Sequence, residues 1–225
     1  MAFGTIINSA TGASTGTSVS TQATSTSLTV SVGDLVVVGY AYRTNSPVTI
    51  TDNLSNTWTA LTDKNGVSNT EGMSYTIVTV AGTMTPQMNF TAVTSSKTIY
   101  AAQIAGPFAS SVLDINPAVA SVSAGTVNGN ATGTLSQGPE IAISYANHGA
   151  NTGLAVSGSF TLITSIGIST NLQGGLSYLV VNDTTSLTPS WTVTANGFIG
   201  SATFKAANVA DLVQLNQSAK RAAYW

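Results

Sequence analysis

Eight acids and one histidine make up the obvious chemistry of this chain: Asp34, Asp52, Asp63, Glu71, Asp114, Glu140, Asp183, Asp211 and His148. With many serines available, His148 in YANHGAN could serve a Ser/His/Asp relay, where imidazole takes the proton of an attacking hydroxyl. No G-x-S-x-G elbow stands on a strand-to-helix turn, so His148 reads as a loop or rim residue. Glycoside hydrolysis needs two carboxyls at a set separation across a cleft, and no pair stands out by spacing. The turn TDNLSN (51–56) offers Asp52, Asn53, Ser55 and Asn56 as oxygen ligands for calcium. Asp and Asn also close tight turns on their own backbone, which is the reading adopted for this stretch and for NDTTS (182–186). Zinc wants several His or Cys, and the chain has one histidine and no cysteine. Neither a catalytic residue nor a cofactor nor a metal is assigned.

Aromatic side chains could instead bind sugars by stacking. Trp58 and Trp191 sit in strand patterns and are expected in the core, while Tyr40 and Tyr42 alternate with small residues and are expected to face outward. The last stretch, NVADLVQLNQSAKRAAYW from Asn208, differs from everything before it. Asn208 suits an N-cap, Val209, Leu212, Val213 and Ala219 recur at helical spacing, and Asp211 with Lys220 and Arg221 matches the helix dipole. A short helix or extended arm is expected over 207–225. Val209, Leu212, Val213, Tyr224 and Trp225 are its candidate partner contacts, with the terminal Trp225 set against a neighbouring subunit or its own domain.

These groups must be positioned by strands. Short β-branched and aromatic runs between Gly, Pro and Asn/Asp turns predict strands near 26–32, 34–43, 47–51, 57–62, 73–80, 87–93 and 97–105. A second set is predicted near 131–136, 140–147, 159–168, 175–182, 190–195 and 198–206. Tyr75, Ile77 and Val80 should point inward, as should Met88, Phe90 and Ala92, giving sheets with one face buried and one wet.

The two sets echo each other. EGMSYTIVTVAGTMTP (71–86) returns as GGLSYLVVNDTTSLTP (174–189), GDLVVVGYAY (33–42) as PEIAISYANH (139–148), and TWTALT (57–62) as SFTLIT (159–164). TIYAAQIA (98–105) answers to FIGSATFK (198–205). Asp34 and Glu140 hold equivalent positions at strand starts, which points to turn chemistry. A unit of about 80 residues with one apolar sheet face buries little alone, so a shared core is expected. The predicted fold is an all-β, jelly-roll-like antiparallel β-sandwich with an internal two-fold repeat. A Ser/Thr-rich segment (1–24) leads into the sandwich (25–206; halves 25–106 and 131–206), and 207–225 follows it.

Composition narrows the function classes. Of 225 residues only 6% are charged while 43% are hydrophobic, with six basic residues against eight acids. That balance cannot build the positive face nucleic acid requires. GDLVVVGYAY is about half as long as a membrane-spanning helix, and the N-terminus lacks the pattern of a secretory signal.

GDLVVVGYAY, a DN-x-x-N-T-W turn, MSYTIV and a closing GSATFKA together resemble a loose group of β-sandwich proteins found among tailed-phage virion components and bacterial surface proteins. The resemblance spans roughly 25–206 and implies a non-enzymatic structural protein, such as a capsid decoration (cement) protein or tail component. Its expected partners are further copies of itself and major capsid or tail proteins, in a virion assembled in the host cytoplasm. The alternative is a tail-fibre or surface adhesin module that binds glycans or a receptor at an extracellular surface.

Overall fold

A computed structural model describes residues 1–15, 19–43, 47–65, 70–91, 95–169 and 172–208. The arm expected beyond Asn208, with Val209, Leu212, Val213, Tyr224 and Trp225, lies outside the described residues. The described chain is all-β. Its first half runs through β1 (Ile6–Ser14), β2 (Thr21–Ala23), β3 (Leu28–Val30), β4 (Leu35–Tyr42), β5 (Val48–Asp52), β6 (Thr59–Ala60), β7 (Lys64–Asn65), β8 (Thr70–Ile77), β9 (Gly82–Met84), β10 (Pro86–Phe90) and β11 (Lys97–Ile104). The second half runs through β12 (Phe108–Leu113), β13 (Ala120–Val122), β14 (Gly125–Asn128), β15 (Glu140–His148), β16 (Ala155–Ser157), β17 (Thr161–Ile168), β18 (Leu172–Val181), β19 (Ser190–Val193) and β20 (Gly197–Ala206).

The strands pair antiparallel into two six-stranded sheets and three small ones. One large sheet is ordered β1-β11-β4-β8-β6 with β7 also on β8, and the other β12-β20-β15-β18-β17 with β13 also on β20. The small sheets are β2-β10-β5, β14-β19-β16 and β3-β9. In the first large sheet Leu35 of β4 pairs with Ile77 and Ile104. In the second, Ile141 of β15 pairs with Val180 and Phe204.

The two large sheets pack face to face. Leu35, Val37, Met73 and Tyr100 of the first meet Ile143, Tyr145, Leu176 and Phe204 of the second in one continuous core. Tyr75 and Phe204 meet edge to face across it, with ring centroids 5.2 Å apart. The other face of the first sheet is covered by the small sheets, through Leu28, Ile50, Met84 and Met88 against Val36, Val38 and Ile99. On the other face of the second sheet, Trp191 and Val193 pack on Ala146 and Ile199. The layers therefore stack as sandwiches sharing a central core.

This stacking changes the expected burial. β4, β11 and β15 are buried at every position, so the wet face predicted for the main strands does not exist there. Continuous apolar runs such as LVVVGYAY are what doubly covered strands look like. Tyr75 and Ile77 pack against the shared core, but Val80 lies beyond the end of β8 and is exposed. Met88 and Phe90 are buried on one face as expected, and Ala92 is outside the described residues.

The strand assignments differ elsewhere too, most of all at two places. β1 is a nine-residue strand paired along β11, in a stretch where no strand was expected. Residues 131–136 form no strand. There Thr132 N and Leu135 N donate singly to Leu187 O and Thr184 O, and the added strands of this region are β13 and β14.

Candidate functional site

The single histidine is not at a rim. His148 closes β15 with no exposure, because β15 is paired on both sides there, with Gln173 and with Gly197. Its Nε2 lies 3.1 Å from Gln173 Oε1, which also accepts Leu154 N. Burial pushes the imidazole toward its neutral form, only partly offset by that bond. His148 is therefore a buried residue held through Nε2 by Gln173, its Nδ1 without a hydrogen-bond partner, and no serine hydroxyl is among its described contacts.

Tyr40 and Tyr42 do not face outward either. They are 2% and 1% exposed, since the sheet β2-β10-β5 lies over them and Phe90 meets Tyr42 edge to face at 4.8 Å. Trp191 is buried as expected and donates Nε1 to Ser144 Oγ at 2.9 Å. Trp58 is half-buried and donates to Asp52 Oδ2 at 2.7 Å. Every described aromatic residue is at least half-buried.

The TDNLSN turn closes on itself as read from sequence. Asp52 Oδ1 accepts Leu54 N at 2.7 Å, and Ser55 takes the left-handed conformation (φ 63). With Oδ2 occupied by Trp58, both carboxylate oxygens already serve N–H donors. In the second turn, Asp183 Oδ1 accepts Thr185 N at 3.0 Å.

Two acids at the starts of β4 and β15 build the most distinctive polar sites. Asp34 Oδ2 accepts Ser31 N at 2.9 Å and Gln103 Nε2 at 2.7 Å. The preceding Gly33, at φ 92, makes the turn that aims the carboxylate back at the β11 end. Asp34 and Gln103 line a cleft of about 410 Å³ bounded by Ser31, Val32, Gly33 and Pro107. Gln103 is only 2% exposed, and its Oε1 has no hydrogen-bond partner.

At the β15 start the same place is filled. Glu140, fully buried, lies beside Asp114, which arrives from the stretch after β12. Asp114 accepts Ser136 N at 2.8 Å and Ser136 Oγ at 2.5 Å, and lies 3.6 Å from Lys205 Nζ. Its backbone N donates to Thr203 O, while Thr203 N donates to Ile115 O, both at 2.9 Å. Burial, and then the neighbouring Asp114, push the Glu140 carboxyl up to about 7 against the pull of Thr203 and the Gln137 backbone. Thr203 and Gln137 are near enough to act on its charge, but neither is aligned for a hydrogen bond to its oxygens. Burial also opposes ionisation of Asp114, yet Ser136, Glu140 and Lys205 together hold it below the usual carboxylate range. The two adjacent acids therefore tend opposite ways, Glu140 toward its neutral form and Asp114 toward its charged one. This pair escaped the sequence reading, because nothing in the residues around Asp114 announces its approach to Glu140. With Glu140 sealed from solvent, the pair fastens the 114–136 stretch to β20.

A third buried acid sits between the large sheets. Glu71 has no exposure and neither oxygen has a partner. Burial pushes its carboxyl well up, and Tyr100 and Tyr145 lie close enough to feel its charge. Among the described residues no group of three or more His, Cys, Asp or Glu is placed to hold a metal ion.

No family model, curated protein or solved structure matches this chain.

Proposed function

We propose that the chain is a non-enzymatic structural protein of a virus particle, a capsid decoration protein that oligomerises and stabilises a lattice of capsid or tail subunits. The observation that carries this reading is the layered stack itself. Its large sheets are covered on both faces, and most of its described acids, its histidine and its described tyrosines are turned into the packing or tied into turns. A body built so suits mechanical work more than chemistry. The low charge fits close repeated contacts, where each buried ion must be compensated.

The finer architecture in this reading is a jelly-roll-like sandwich with an internal two-fold repeat. The first and last strands of each half are neighbours, β1 beside β11 and β12 beside β20, as a chain wrapped through Greek keys into two sheets requires. Both halves follow one strand order, and the register of Leu35 with Ile77 and Ile104 is met by that of Ile141 with Val180 and Phe204. The partner contacts fall to the C-terminal residues Val209, Leu212, Val213, Tyr224 and Trp225. Sedimentation velocity across a concentration series tests the reading. Discrete oligomers that dissociate when 209–225 are removed support it, and a monomer at all concentrations that also ignores particles refutes it.

A further inference from the structure

The stretch after β12 brings an aspartate against a lysine and a buried glutamate on the face of the second large sheet turned away from the shared core. Glu140 and Lys205 are register partners on β15 and β20. Asp114 is set beside them by its backbone, since Asp114 N donates to Thr203 O and Thr203 N to Ile115 O, both at 2.9 Å. The Lys205 ammonium lies 3.6 Å from Asp114 Oδ1, with the two side chains only 18% and 8% exposed. Ser136 N donates to Asp114 Oδ2 at 2.8 Å and Ser136 Oγ to Oδ1 at 2.5 Å. Glu140 has no exposure, and neither of its oxygens has an aligned hydrogen-bond partner. Val181, its other register partner, packs against the apolar cluster of Leu135, Ala142 and Leu187. In the first half the amine is missing at this point. Ile104 pairs with Leu35 as Phe204 pairs with Ile141, but the next residue is Ala105 in one case and Lys205 in the other.

We propose that Lys205 and Asp114 close an intramolecular amide, an isopeptide link, with Glu140 relaying the proton. Lys205 Nζ, as the free amine, attacks Asp114 Cγ while Glu140 lends its proton to Oδ1, the oxygen nearest the amine. The Ser136 N–H steadies the charge that gathers on Oδ2. The Cγ–Oδ1 bond then breaks, Oδ1 leaves as water, and Glu140 recovers a proton from Nζ. One ammonium and one carboxylate become one amide and one water, with no oxidant or outside reagent. The backbone bridge at Thr203 holds attacker and target together beforehand, so the step is effectively unimolecular. The link ties the end of β12 to β20, the first and last strands of the second half, which are neighbours in the sheet. The proton equilibria of Asp114 and Glu140 belong to the open form, which Lys205→Arg preserves with its cation. The assignment goes beyond the virion reading and does not depend on it.

The intact mass of the denatured full chain, followed by peptide mapping, tests it. The expected result is a mass one water below that of the sequence, with a branched peptide joining Lys205 to Asp114 after digestion. Lys205→Arg should return the full sequence mass. Glu140→Gln should slow closure on the order of 10²-fold in a time course after dilution from urea, the usual share of a positioned proton donor. A wild-type chain that keeps the sequence mass and a free Lys205 amine overturns the proposal, as does a lost water that maps to any other pair. Closure of Glu140→Gln at the wild-type rate overturns the part given to Glu140. The link itself is decided by the wild-type mass and map, whatever Glu140→Gln does to folding.

Discussion

Tyr145 lies across Gly200, its register partner on β20, so closely that a Cβ at Gly200 would collide with the phenol ring. From there its hydroxyl donates to Thr62 O at 3.1 Å, in the other half of the chain. The first half holds the same pair with the residues exchanged: Tyr100 of β11 lies across Gly39 of β4. Both rings fill the core between the large sheets. Gly200→Ala and Gly39→Ala should each therefore destabilise by about 1–3 kcal/mol, the usual cost of overpacking. For a chain of this size that is a melting-point loss of roughly 2–4 °C per kcal/mol. Gly149→Ala, where a Cβ meets nothing nearer than 3.7 Å, should change the melting point little in the same thermal scans.

Glu71 ties stability to pH. Its folded carboxyl is pushed up by burial, so between the unfolded value near ~4.3 and the higher folded one the folded state holds more protons than the unfolded. Stability contributed by this group is present below the unfolded value and is lost as pH rises. Glu71→Gln should match the wild type at pH 4 and exceed it at pH 8 in urea unfolding. An equal or lower midpoint for the variant at pH 8 would show that the carboxyl is satisfied in the fold.

Asp114 and Glu140 can be separated by titration. Asp114 raises the proton affinity of Glu140, whose carboxyl titrates near about 7. Asp114→Ala should move the carbon-13 titration midpoint of Glu140 downward, and an unchanged or higher midpoint would mean the two acids do not interact. The same variant removes the Ser136 and Lys205 contacts and should cost about 1.5–3 kcal/mol, typical of hydrogen bonds to a charged group.

Trp191→Phe keeps most of the buried ring but removes the donor to Ser144 Oγ. Ser144 still donates to Gly200 O at 3.1 Å, so the loss should be moderate, about 1–2 kcal/mol in chemical denaturation. A variant as stable as the wild type would show that the indole N–H contributes nothing.

The strands that were legible in the sequence are those whose side chains carry the core. LVVVGYAY announces β4, and the acid-led IAISYA announces β15. β1 was hidden because its packing demands small residues: Gly12 lies against the Ala23 carbonyl, where any Cβ would collide, so IINSATGAS reads like a linker. Tyr40 and Tyr42 were placed outside because alternation tells which residues share a face, not whether a second sheet covers it. The Asp114–Glu140 pair was invisible for another reason. Asp114 reaches Glu140 through the irregular stretch between β12 and β13, and such stretches carry no periodic signal. The open cleft at Asp34 becomes notable only beside its filled counterpart.

The role proposed for this body is that of a repeated part of a particle. Immunogold electron microscopy with an antibody to the chain, on virions purified from the source, tests it most directly. Gold at regular lattice spacing on the particles is the predicted result. Unlabelled particles, with the chain confined to the soluble fraction of the same lysate, would contradict it.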